Sequence, residues 1–181
     1  MTRSVDIDEA AVLEAFWPFQ KALQEREDLS TWQECPFATT NQEIDFAETA
    51  LWFPFPDSYR LFLLAWNGFN VPCHGDVRQD IAFLCCCNLA LTKERPREVN
   101  VPEYADIIRG NAARFRWERQ PSNMVNFAGD RFGNAYGFLI GEAGPDERIA
   151  YWSHDGEELT IVGRSFTEWF NGLPGTIAQR L

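Results

Sequence analysis

The chain has 181 residues, 45% of them hydrophobic and 14% aromatic, with Phe 15 and Trp 7 in the count. That is enough apolar material for a folded core without a disulfide or metal staple, and too much for a disordered chain. Lys and Arg number 16 against 27 Asp and Glu, a net charge of −11, which argues against nucleic acid and anionic membranes as ligands and favours a basic protein partner. The surplus is uneven. Residues 1–57 hold 3 basic and 12 acidic side chains, residues 58–120 hold 9 and 7, and residues 121–181 hold 4 and 8. No apolar run approaches the ~18 residues of a membrane span. The start, Met1 to Asp6, lacks a signal peptide's apolar stretch, so a cytoplasmic protein is expected.

In chain order, Asp8 caps a first helix that carries Val12, Phe16, Phe19 and Leu23 on one face. Pro18 lacks an N–H and clashes one turn back, so that helix is expected to kink or split. A loop is expected from about Asp28 to Phe55, with Ala50 to Phe53 extended. Pro56 then fits a first helical position, Asp57 and Ser58 favour the helix's positive end, and Tyr59, Phe62, Leu63 and Trp66 form a stripe. Asn67-Gly68 supplies the left-handed stop. Val71 to Asp80 reads as loop, Ile81 to Leu91 as strand, and about Pro102 to Glu118 as a second amphipathic helix. From Met124 the period changes to two, with Val125 and Phe127 alternating with Asn126. Ala135 to Ile140 follows, and a loop through Gly144-Pro145-Asp146 leads to Arg148 to Ser153. Asp155-Gly156 then turns the chain into Leu159 to Val162. Ser165-Phe166-Thr167-Glu168 is a capping box opening a last helix that Pro174 should stop. Helices first and a meander later predict a single α+β domain over 1–181, a mostly antiparallel sheet of residues 124–163 packed by helices at 56–67 and 102–118.

Five cysteines, Cys35, Cys73, Cys85, Cys86 and Cys87, are an odd set without an export signal, so free thiols are expected. Neither Cys73-His74 nor the Cys85–Cys87 run has zinc-site spacing, because consecutive side chains of an extended segment point to opposite faces. No metal and no cofactor is expected.

Four blocks in order resemble the SUKH superfamily, which takes in Smi/Knr-type fungal regulators and many bacterial immunity proteins. Phe55-Pro56-Asp57-Ser58-Tyr59-Arg60-Leu61-Phe62-Leu63-Leu64-Ala65-Trp66-Asn67-Gly68 is similar to its "LP-x-x-Y-x-x-F-L-x-x-N-G" helix. Val125 to Asp130 with Gly133 to Phe138, including Phe127, Asp130, Gly133 and Tyr136, resembles the "I-x-F-A-x-D-x-x-G-x-x-Y-x-F" strand pair. Arg148 to Asp155, with Trp152 and Asp155, resembles "V-x-x-W-x-H-D", and Ser165 to Phe170, with Phe166, resembles "S-F-x-E-F-L". Phe55 stands where the family usually has Leu, and Ser153 where it often has Asp. The motif-bearing part is about 55–173, with 1–54 as an N-terminal helical extension of the same domain. The resemblance implies an α+β fold, no catalysis, and toxin neutralisation by binding in bacterial members. A regulatory scaffold of the Smi/Knr type is the alternative.

Enzymatic readings rest on Ser153-His154-Asp155 or on Cys73 with His74. Adjacent strand residues alternate faces, so the first set does not converge as a hydrolase needs. Gly129, Gly133 and Gly137 serve turns and close packing rather than a phosphate loop. Asp146-Glu147 and Glu157-Glu158 are expected in turns. For a basic toxin domain, two binding candidates stand out. One is acidic, Glu25, Glu27, Asp28 and Glu34 near the end of the first helix, with a rim from Asp146, Glu147, Glu157 and Glu158. The other is the loop from Phe69 to Asp80 with Phe69, Asn70, His74 and Asp76, an aromatic among polar groups.

Overall fold

The computed structural model describes residues 9–25, 39–51, 53–66, 70–71, 81–83, 121, 123–130, 132–141 and 144–178. Helices α1 (Glu9–Glu25), α2 (Asn41–Leu51) and α3 (Asp57–Trp66) come first. Strands β1 (Asn70–Val71), β2 (Ile81–Phe83), β3 (Met124–Gly129), β4 (Ala135–Gly141), β5 (Gly144–Ser153) and β6 (Glu158–Gly163) follow, and α4 (Phe166–Ala178) closes the described chain. The six strands lie in sheet order β1-β2-β3-β4-β5-β6, each antiparallel to the next. The α+β class and the antiparallel meander are as the sequence predicts. Two short strands extend the sheet beyond the expected 124–163. The helix expected at 102–118 and the cysteines lie outside the described residues.

Local chemistry sets α3. The Pro56 carbonyl accepts from the N–H groups of Tyr59 and Arg60, both at 3.0 Å, and Asp57 stands in the first turn. Tyr59, Phe62 and Leu63 are buried, and Trp66 packs on the same core. Their rings meet Phe127 and Phe138 of β3 and β4 and Phe166 and Phe170 of α4. Tyr59 lies 5.4 Å from Phe127 and 4.9 Å from Phe166, and Phe62 lies 5.3 Å from Phe170. Tilted and edge-to-face rings at such spacings add about 0.5–1.5 kcal/mol per pair beyond area burial. So α3 and α4 cover one face of the sheet, and α1 packs on both through Phe16 and Phe19. On the opposite face, Met124, Ala135, Ala150 and Trp152 form a smaller buried cluster with Leu139. With both faces covered, all of β3 is buried, Asn126 included, where alternation alone would turn Asn126 to solvent.

Four expectations need correction. The segment expected as loop from Asp28 to Phe55 contains α2, and Ala50 and Leu51 belong to that helix. Its start is a capping box. Thr40 Oγ1 accepts from the Glu43 N–H (3.3 Å), and Glu43 Oε2 accepts from the Thr40 N–H (2.8 Å). Ile44 and Ala47 then reach the core. The proposed loop Gly144-Pro145-Asp146 is strand, because a bulge between Phe138 and Leu139 lets it pair with Leu139 to Gly141. Val71, expected in loop, pairs with Ile81. Pro174 does not stop α4, which continues to Ala178 with the proline buried inside it. Tertiary burial of its ring outweighs the local loss of one N–H. Similarly, α1 is not split at Pro18 and runs through it.

Candidate functional site

The β3–β4 turn is built around one carboxylate. Asp130 Oδ1 accepts from the N–H groups of Phe132 (2.9 Å) and Asn134 (3.0 Å), and Oδ2 accepts from Asn134 Nδ2 (2.8 Å). Gly133 takes φ +85° there, which a Cβ would strain. Asn134 Oδ1 in turn accepts from the His154 N–H at 2.8 Å, tying this turn to the β5–β6 turn. A Cβ on Gly137 would come within 2.5 Å of the Val125 carbonyl oxygen, so the next strand also needs its glycine.

Ser153, His154 and Asp155 are spent on the second turn. Ser153 Oγ accepts from the Gly156 N–H (3.4 Å), the His154 ring lies edge-on to Trp152 (5.6 Å), and Asp155 faces solvent. Each side chain thus has its own direction, and a proton relay through the three has no geometric basis here.

Two polar side chains to which the sequence assigns no role tie the helices together. Arg60 is fully buried. Its Nη2 lies 2.8 Å from Asp45 Oδ1 and 3.3 Å from Asn41 Oδ1, and its Nη1 lies 2.8 Å from Glu48 Oε2, all on α2. Burial alone would lower the guanidinium's pKa, but Glu48 and Asp45 together outweigh burial and hold it above its ordinary value. Glu48 Oε1 also accepts from the Phe55 N–H at 2.8 Å. Across the molecule, Asn171 of α4 reaches α1. Its Nδ2 donates to the Ala15 carbonyl (2.8 Å), and its Oδ1 accepts from the Phe19 N–H (3.3 Å). In a regular helix those two backbone groups bond to each other. The amide therefore contacts α1 on the turn that holds Pro18.

Over residues 38–172 the chain matches the model of the SMI1 / KNR4 family (SUKH-1). It belongs to that family. No curated protein matches the chain. The SUKH-1 match takes in α2, ahead of the motif-bearing part that the sequence places from 55. The four blocks that resemble SUKH motifs fall within the matched range. Pro56, Tyr59, Phe62, Leu63, Phe127, Tyr136, Trp152 and Phe166 make the helix start and the two cores, and Asp130 and Gly133 make a turn. These residues hold the fold together, whereas Asp155 is exposed.

The binding candidates fall differently. Glu25 ends α1, exposed and 3.7 Å from Lys21 Nζ, so its charge is locally balanced. Asn70 lies in β1. Glu27, Asp28, Glu34, Phe69, His74, Asp76, Asn67 and Gly68 lie outside the described residues. The suggested rim does not form one surface. Asp146 and Glu147 sit near the start of β5, and Glu157 and Glu158 sit beyond its end, where Glu158 pairs with Ser153. Seven steps of strand from Asp146 to Ser153 span up to about 23 Å. Asp146 is engaged as well: its hydrogen bonds from Arg148 hold its carboxyl below the usual carboxylate range.

Proposed function

We propose that this SUKH-1 protein is a non-enzymatic protein-binding module, an immunity protein that neutralises a basic toxin domain by direct binding. Family membership supports a binding role, since SUKH proteins are generally immunity or regulatory proteins. One observation carries the reading: the polar residues at the SUKH motif positions, Asp130 and the Ser153–Asp155 run, make turn hydrogen bonds or face solvent instead of converging on a shared cavity. The −11 charge supports a basic partner, because complementary fields accelerate encounter. A regulatory scaffold is the second reading, and the same family membership favours it.

The test is to look for a toxin reading frame immediately upstream or downstream of the gene, and to co-express the inactivated toxin domain found there with this protein, followed by co-purification. The expected result is a stoichiometric complex whose association slows as salt rises, since rim charges are screened over ~8–10 Å. Cells that survive the active toxin equally well without this protein exclude immunity to it. A substrate turned over by the wild type and not by His154→Ala moves the protein into the enzyme class.

A further inference from the structure

Among the described residues β6 is the last strand of the sheet, and its outer edge pairs with no other described strand. Edge strands in soluble proteins are normally short, charged or covered. This one presents Leu159, Ile161 and Val162, which are 38%, 43% and 41% exposed. Register explains how they come together. Leu159 is opposite Trp152 and Ile161 opposite Ala150, so both extend the apolar face made by those two residues. The register shift between Ile149 and Ala150 leaves Val162 as the extra residue of a bulge, and the regular edge is therefore Glu158 to Ile161. Just ahead of it the turn exposes Asp155 and Glu157, Glu158 opens the strand, and no Lys or Arg occurs until Arg164.

Resting on the reading of a basic protein partner, we propose that the outer edge of β6 is where that partner docks, by adding an extended strand with alternating basic and aliphatic side chains. Backbone hydrogen bonds along Glu158–Ile161 would supply affinity, the aliphatic patch would supply buried area, and the acidic turn would select Lys and Arg. Charge decides between occupants. A second copy of this chain brings another −11, whereas a basic strand brings the complement.

The probe is a capped decapeptide of alternating lysine and valine, titrated into the ¹⁵N-labelled full chain up to about 1 mM, the range of weak single-strand contacts. Amide shifts are expected in residues 157–164. Replacing the patch by Leu159→Ser, Ile161→Ser and Val162→Ser should weaken binding about tenfold, since buried aliphatics govern dissociation. Glu157→Gln with Glu158→Gln should instead flatten the salt dependence. Should the triple variant lose its dispersed spectrum, Ile161→Ser alone replaces it. Shifts centred on the end of α1, or none at all, overturn the proposal. So does a wild-type dimer that Ile161→Ser dissociates, which would assign the edge to a second copy. The inactivated toxin separates the two readings: toxin bound equally by the triple variant defeats the β6 site, while peptide bound at β6 without toxin retains the site and defeats immunity to that toxin.

Discussion

The two helix pairs of this protein are fastened by opposite chemistries. A buried cation on α3, Arg60, meets two carboxylates of α2, whereas a neutral amide on α4, Asn171, hydrogen-bonds two backbone groups of α1. The charged clasp is strong only while both signs are present, because a buried guanidinium without its carboxylates keeps its desolvation cost. The neutral one has no charge to lose, and its value lies in the two hydrogen bonds it makes to the α1 backbone. Similar distances at the two joints therefore imply different ways of failing.

Removing both carboxylates of the charged clasp, Asp45→Ala with Glu48→Ala, is expected to have the largest effect, about 3–5 kcal/mol of stability in urea unfolding. Adding Arg60→Met to that double variant should recover a large part of it, because the loss stems from the stranded cation. A triple variant no more stable than the double would break the comparison.

On the neutral side, Asn171→Ala should cost about 1–3 kcal/mol, leaving the Ala15 carbonyl and the Phe19 N–H without their bridge. Pro18→Ala restores the N–H that the proline lacks and relaxes the turn, so the pair should show a coupling of about 0.5–3 kcal/mol in a double-mutant cycle. Strict additivity would mean that Asn171 does not act on the turn that holds Pro18.

Acidity gives the smallest effect. Arg60 is held above its ordinary pKa, so its contribution is complete below that value and disappears only in strongly alkaline solution. Asp146, whose folded pKa is depressed by Arg148, contributes stability above its unfolded pKa and loses it as pH falls through the folded value. Following the Asp146 carboxyl by NMR should show a midpoint below the ordinary carboxylate range that returns toward it in Arg148→Ala.

These fastenings also mark the limit of what was legible in the sequence. The α3 stripe, the two hairpins and the capping box at Ser165 are local patterns, and periodicity finds them. Helix α2 was also written locally, in Thr40-Asn41-Gln42-Glu43 followed by Ile44 and Ala47, but a polar, mixed stretch hides a narrow stripe. Arg60 was not legible. On a helix whose inner face is already Tyr59, Phe62 and Leu63, an arginine reads as solvent-facing until α2 is known to lie beside it. Asn171 is 156 residues from Ala15, and no pattern confined to one segment could join them. The edge of β6 falls between these cases. Its strand was expected, but its exposure depends on being last in the sheet.

The meander and the Asn171 bridge together have a consequence for how the chain assembles. From β3 to β6 every strand pairs with the next across a short connection, so this part of the sheet can grow by loop closures that are each entropically cheap. The union of α1 with α4 is different, since it closes a span of more than 150 residues in one step. That joint is therefore expected to form late and to open first. In native-state hydrogen exchange the Phe19 amide should lose protection together with α4, before β3 and β4 yield, as one cooperative unit drawn from both ends of the molecule.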